Sequence, residues 1–249
     1  MSEDLASVRD AVEHAVKTGR LEPHQLAALS KHDEGLTLAQ RQEFTEGWRA
    51  KGSPAEPEPP RPPLLQVAAP YFAQLDSATG QGARMCFSST CAMAAEALIP
   101  GCLAGPGQPD DRYLAIVERF GDTTEATAQI KALASLGIKA RFRTDGELES
   151  LRAKLREGVP IPVGWLHRGP VTAPTGGGHW SLVRGWDAAA RHVIHNDPNG
   201  EAALVSGGYA TTAIGSGRGV RYSWQNWGPR WMADGVGSGW WLDLSKPSS

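Results

Sequence analysis

The chain has 249 residues, 41% of them hydrophobic, with 25 Lys+Arg against 27 Asp+Glu, the profile of a soluble globular protein long enough for one full domain and a small companion. A formal net charge of −2 supplies no general attraction to phosphate backbones or anionic lipid, so no nucleic-acid partner is expected. The longest apolar runs, such as Cys91 to Leu98 with Glu96 inside, fall far short of the roughly 20 residues that cross a bilayer, and no membrane span is expected.

The start, Met1-Ser2-Glu3-Asp4, is acidic where a secretory signal is basic and then apolar, so synthesis in the cytoplasm is expected. Leu5, Val8, Val12 and Val16 recur at helical spacing before Gly19. A second helical segment starts near Pro23, and Thr37 with Gln40 forms a capping-box pattern leading to Phe44 and Trp48. Residues 1–50 are therefore expected to form a small all-α module. Residues 51–64 contain Pro54, Pro57, Pro59, Pro60, Pro62 and Pro63, which remove amide donors and favour an extended spacer. Residues 65–249 are expected to form the main domain.

In that domain an extended stretch reaches Gln74, and a loop of Gly and small polar residues runs to Arg84. Helices are expected over Cys86–Leu98, Asp111–Phe120, Ala126–Leu136 and Glu147–Arg156, and strands over Ile138–Arg143 and Ile161–Leu166. His179–Trp186 and His192–Asn196 read as a pair of antiparallel strands, and the aromatic tail from Gly200 reads as loop. Within the tail, Trp224, Trp227 and Trp231 recur at helical spacing and point to core. Helices first and strands last indicate an α+β domain.

Three cysteines in a chain of this length make no disulfide framework, and at least one thiol is free. Cys86 follows a flexible loop and opens a helix, where the positive end of the helix dipole favours a thiolate. A cysteine is otherwise most often a small buried hydrophobe. Cys91 lies five residues on, about 140° around the helix, and faces elsewhere. Among seven histidines, His179 stands out at the start of an apolar strand after Gly176-Gly177-Gly178, where a substrate chain can lie close to the backbone. Gly177, Gly178 and Trp180 are thus candidate substrate contacts. Asp197, at the end of the neighbouring strand, can orient the imidazole, although Asp197-Pro198-Asn199-Gly200 also fits a simple turn. Gln74 and Gln81 are both candidate oxyanion donors, Gln81 being also a candidate substrate contact. His192 and His195 are three apart on a strand and point to opposite faces, so no metal chelate is expected there, and no cofactor is indicated.

Pro70-Tyr71-Phe72-Ala73-Gln74-Leu75-Asp76, Cys86 with Ala92-Met93, Gly178-His179-Trp180-Ser181-Leu182-Val183 and Asp197-Pro198 together resemble the papain-like cysteine peptidases related to the bacteriocin leader-processing peptidases, from about Val67 to the end. The resemblance is closest to the stand-alone branch encoded by phages and bacteria. It implies a papain-like fold, peptide-bond cleavage, and the order glutamine, cysteine, histidine, aspartate carried by Gln74, Cys86, His179 and Asp197. That family has Gly-Pro after the cysteine, where this chain has Phe87-Ser88. The domain layout, with a separate helical module and a Trp-rich tail, makes peptidoglycan peptides the expected substrate and a phage-type lytic enzyme the expected role. Amide or isopeptide transfer on the same triad, and an inert virion or envelope binding protein of the same fold, are the alternatives.

Overall fold

The structure is a computed structural model that describes residues 64–245. The expected helical module and most of the proline-rich spacer lie outside the described residues. The helices are α1 (Cys86–Leu98), α2 (Pro109–Val117), α3 (Ala126–Ser135), α4 (Leu148–Arg156) and α5 (Trp224–Trp231). The strands are β1 (Leu65–Gln66), β2 (Lys139–Gly146), β3 (Ile161–Trp165), β4 (His179–Asp187), β5 (His192–Asn196), β6 (Glu201–Ala202), β7 (Tyr209–Thr211), β8 (Val220–Ser223) and β9 (Gly239–Ser245). Helix α1 draws on Ala, Met and Leu, and stops before Pro100, whose ring and missing donor end the ladder. Pro109 opens α2 at a position where its absent N–H costs nothing, followed by Asp110 and Asp111 in the first turn, where the helix dipole favours negative charge.

Strands run in the order β2-β9-β3-β4-β5-β8, with β1 added beside the far end of β4, and every pairing is antiparallel. The tail expected as loop therefore differs from expectation. It supplies α5, the edge strand β8, the small β6–β7 pair, and β9, which lies inside the sheet between β2 and β3. Gly239-Trp240-Trp241-Leu242 hid the period-2 pattern, because Trp240 and Trp241 are both large and apolar yet point to opposite faces. Trp241, together with Trp227 and Trp231 of α5, is buried on one face, and Leu242 and Leu244 are buried on the other.

The sheet is covered on both faces. Phe87, Cys91, Met93, Tyr113 and Leu133 of α1, α2 and α3 pack against Leu182, Leu242 and Leu244. Leu151 and Leu155 of α4 and the tryptophans of α5 pack against Val163, Val183, Val193 and Tyr222 on the opposite face. Strand β4 alternates accordingly: Trp180 and Leu182 face the helix α1 layer, while Val183 joins the opposite one. The start of α1 is fixed on the start of β4. Phe87 stacks flat on Trp180, with ring centroids 3.6 Å apart and planes 4° from parallel, and Thr90 Oγ1 donates to the Trp180 carbonyl at 3.0 Å.

Trp231 is clamped between Gly146 and Gly239, where an added Cβ would stand 2.5 Å and 2.3 Å from its indole. Its Nε1 donates to the Trp240 carbonyl at 2.8 Å. Gly239→Ala is expected to lower stability by about 1–3 kcal/mol, the cost of overpacking a rigid ring. Urea unfolding measures it, and an unchanged midpoint would show that β9 shifts without penalty.

Candidate active site

The sheet register places the polar site at one end of β4 and β5. His179 pairs with Trp165 of β3, and Leu182 pairs with Asn196, which sets Asp197 just beyond the strand end on the His179 face. Asn196 points the other way: its Nδ2 donates to the Pro70 carbonyl at 2.8 Å and its Oδ1 accepts from Gly219 N–H at 3.0 Å. The alternation of strand side chains separates the two neighbours, as Asp197 and not Asn196 meets the imidazole.

His179 Nε2 lies 2.8 Å from Asp197 Oδ1, with both side chains almost wholly buried. The same carboxylate oxygen accepts from the Asn199 N–H at 3.0 Å, and Oδ2 accepts from the Tyr222 hydroxyl at 3.0 Å. Burial by itself disfavours the charged imidazole. The charge of Asp197 and its hydrogen bond, and then the hydrogen bond and charge of Cys86, outweigh that and lift His179 to about 10. With Nε2 committed to Asp197, Nδ1 is the ring nitrogen left for the thiol.

Cys86 opens α1 and is half-buried, whereas Cys91 is fully buried and Cys102 sits in the loop after α1. Burial pushes the Cys91 thiol far up, and burial with the nearby Glu96 charge raises Cys102 to about 11. Gln74 lies in a short 3-10 turn and is buried; its N–H donates to the Pro198 carbonyl at 2.9 Å and its Nε2 donates to the Gly82 carbonyl at 2.8 Å. It is thereby held between the Asp197-Pro198 turn and the Gly82–Arg84 turn that leads into Cys86. One amide hydrogen remains after the Gly82 bond. Gln81 is more exposed and its Oε1 accepts from Arg84 Nη1 at 3.2 Å, so its amide oxygen is directed along the loop. Gly177 and Gly178 are exposed in the loop before His179, and Trp180 is occupied on one face by Phe87.

Several residues that matter here carried no local signal. Tyr222, read only as part of an aromatic tail, holds Asp197. Trp165 Nε1 donates to Ser181 Oγ at 2.9 Å, and Ser181 Oγ lies 2.9 Å from His195 Nδ1. Burial and the charge of His179 drive His195 well below the ordinary histidine range, so it accepts from Ser181 as a neutral ring. His167 is lowered to about 4, first by burial and then by the positive charge of His179. Trp165, His167 and Tyr209 surround the His179 ring at centroid distances of 5.3, 5.7 and 5.7 Å. No signal within the sequence places these rings together, since they come from separate strands and loops. Among the described residues no group of three or more His, Cys, Asp or Glu side chains is arranged to hold a metal ion, and His192 turns away from His195 to lie 2.6 Å from the Ala190 carbonyl through Nδ1.

No protein-family profile matches the chain, and no curated protein is detectably similar to it in sequence. Among solved structures, the chain is similar to a double glycine motif protease from an AMS/PCAT transporter, solved in complex with the leader peptide. That match has 16% identity and a TM-score of 0.42, covering 74% of this chain and 94% of that one. It is also similar to a protein from Bacillus anthracis described as a C39-like peptidase, with 14% identity and a TM-score of 0.40, covering 72% of this chain and 96% of that one.

Two outcomes follow from this geometry. Tyr222→Phe leaves Asp197 Oδ2 and the Ala202 N–H, which Tyr222 Oη accepts at 2.9 Å, without their partner. A hydrogen bond to a charged group is worth about 1.5–3 kcal/mol. Any turnover at this site should fall at least about tenfold in kcat with KM little changed, and its pH profile should shift; an unaltered profile would give Tyr222 a packing role only. Because His179 is raised from 6.5 to about 10 on folding, its charged form contributes stability that is fully present below pH 6.5 and is lost as pH rises through 10. Urea midpoints measured from pH 6 to pH 10 should fall across that window, and less steeply in Asp197→Asn.

Proposed function

We propose that this chain is a cysteine peptidase in which Cys86 is the nucleophile, His179 the proton carrier, Asp197 the group that orients it and Gln74 an oxyanion donor. One observation carries the reading: a buried imidazole, bonded through Nε2 to a buried carboxylate at 2.8 Å, begins the strand on which the first turn of the Cys86 helix is packed through the Phe87–Trp180 stack. A cysteine, a histidine and an acceptor in that relation are the parts of a nucleophilic acyl-transfer site. Peptide hydrolysis uses all of them.

The Cys86 sulfur attacks the carbonyl carbon of the scissile amide as a thiolate while the proton resides on His179 Nδ1. The carbonyl oxygen becomes an oxyanion, which the free Gln74 amide hydrogen and the Cys86 backbone N–H at the start of α1 stabilise. Collapse of this intermediate breaks the C–N bond, and His179 passes its proton to the departing amine. A thioester on Cys86 remains. Water then attacks it, His179 takes the water's proton, and the acid is released with the thiolate restored. Throughout, Asp197 compensates the imidazolium charge and fixes the ring tautomer, and its other oxygen is held by Tyr222.

For the substrate, the reading extends to peptides of the bacterial cell wall, as expected of a phage-type lytic enzyme. Its support is the separate N-terminal segment and proline-rich spacer in the sequence. The experiment has two steps. Iodoacetamide with peptide mapping should label Cys86 well ahead of Cys102, whose thiol is raised to about 11, and of buried Cys91. Purified peptidoglycan and a generic peptide mixture are then incubated with the wild type and with Cys86→Ala, and new amino groups are counted. Release from both substrates by the wild type alone supports the full reading. Release from the peptides only removes the wall as target; capture of the acyl group by an added amine in preference to water identifies a transferase. No release from either, with Cys102 labelled first, leaves an inert binding protein of this fold.

A further inference from the structure

A groove of about 460 Å³ begins beside the proposed catalytic pair, between Phe87, which follows Cys86, and Gly178, which precedes His179. Six aromatic rings line it: Phe87, Phe142, Trp165, Trp180, Trp231 and Trp240. Four of them form a continuous wall, since Trp180 stacks on Phe87, Phe142 meets Trp180 at 6.2 Å, and Trp240 meets Phe142 edge-on at 5.6 Å. Trp240 is 49% exposed and Phe142 36%, so the outer part of this wall is uncovered. The groove volume falls within the 300–1,000 Å³ range of pockets that enclose small organic groups.

The polar groups around the groove narrow what fits. Trp165 and Trp231 spend their indole N–H groups inside the protein, on Ser181 and on the Trp240 carbonyl. Arg230 also reaches the wall, but its guanidinium is used on four carbonyls, those of Leu166, Arg168, Gly169 and Leu204, at 2.7–3.1 Å. Its charge staples the loops around the groove and is not presented to an acidic ligand. The exposed carboxylate in the lining is Asp234. An acidic group would meet Asp234 without a compensating cation. A flat apolar ring avoids that cost and gains edge-to-face and stacked contacts.

Building on the peptidase reading, we infer that this groove is the specificity pocket of the site and takes the side chain of an aromatic residue close to the scissile bond. Phe87, the chain neighbour of Cys86, and Gly178 and Trp180, the two neighbours of His179, line the groove, so a side chain seated in it belongs to the same short peptide segment as the attacked amide. Gly177 lies at its margin, outside the left-handed backbone region, and a Cβ there would meet nothing within 4 Å. A side chain at 177 is therefore compatible with the fold and stands at the margin of the groove.

The test uses the full chain and a peptide pool randomised over three positions on either side of an amide, with products read by mass spectrometry. Burying an aromatic ring gains about 1.5–3 kcal/mol, so Phe, Tyr and Trp should be enriched at one position about tenfold or more over Ala, with Glu depleted. In Gly177→Leu that enrichment should fall towards the value for Ala. A flat profile, or preference for Gly or Glu at every position, overturns the inference while leaving the peptidase reading standing. Cleavage of nothing in the pool counts against the peptidase reading alone. In that case tryptophan emission of Cys86→Ala, titrated with N-acetyl-phenylalaninamide and with N-acetyl-glutamate amide, decides the groove separately. A saturable change with the first only, lost in Cys86→Ala/Gly177→Leu, supports the pocket; equal or absent responses overturn it.

Discussion

The contact on which this site depends is the flat stack of Phe87 on Trp180. It joins the first turn of the cysteine helix to the first residues of the histidine strand, and so sets how far Cys86 stands from His179. Gly164 of β3, paired directly with Trp180, is what allows it: an added Cβ there would lie 3.0 Å from the indole. Thr90, one turn further along the helix, ties down the backbone at Trp180, so helix and strand are held by a ring contact and a hydrogen bond. The Phe87-Ser88 pair that follows the cysteine therefore has a structural use. Phe87 makes the stack, and Ser88 is buried against Thr123 with their hydroxyl oxygens 2.8 Å apart.

Burial shapes the electrostatics behind this contact. An imidazole taken out of water would ordinarily be neutral, as His195 and His167 are. His179 differs because Asp197 is buried with it, and that carboxylate is in turn held by the Asn199 N–H and the Tyr222 hydroxyl. Leaving either partner of such a pair alone in the interior is far more costly than keeping both. The positive charge of His179 also helps to keep its histidine neighbours neutral, so one charged ring is stationed among aromatic ones. The turn carrying Asp197 is anchored independently: Asp197 N–H donates to the Gly217 carbonyl, and the Tyr71 hydroxyl donates to the Asp197 carbonyl at 3.2 Å. The segment bearing Gln74 is docked on that turn through the bond from its N–H to the Pro198 carbonyl, which couples Gln74 to Asp197.

Much of this was legible in the chain before folding. Helix α1 was expected over the residues it occupies, because a run of Ala, Met and Leu after a glycine-rich loop and before Pro100 leaves little choice. Strands β4 and β5 were also evident from apolar alternation and from proline at the end. Position along the chain sufficed to nominate Cys86, His179 and Asp197; in the structure His179 and Asp197 meet directly, and Cys86 opens the helix packed on the start of the His179 strand. The central placement of β9 was hidden, since two adjacent tryptophans mask alternation, and a strand inside a sheet owes its position to partners 76 to 106 residues earlier.

The sequence by itself determined the local elements and the residue types able to do acyl-transfer chemistry, because periodicity, capping and proline or glycine punctuation act over a few residues. Tertiary structure alone decided which groups surround those residues. Tyr222 reaches Asp197 from 25 residues away, Asn196 pins a segment 126 residues distant, and Gln74 rather than Gln81 is buried beside the turn into Cys86. The aromatic groove is likewise assembled from β2, β3, β4, α1, α5 and β9. Burial and hydrogen bonding across the sheet are long-range properties, set by which strands become neighbours, and no window of consecutive residues contains them.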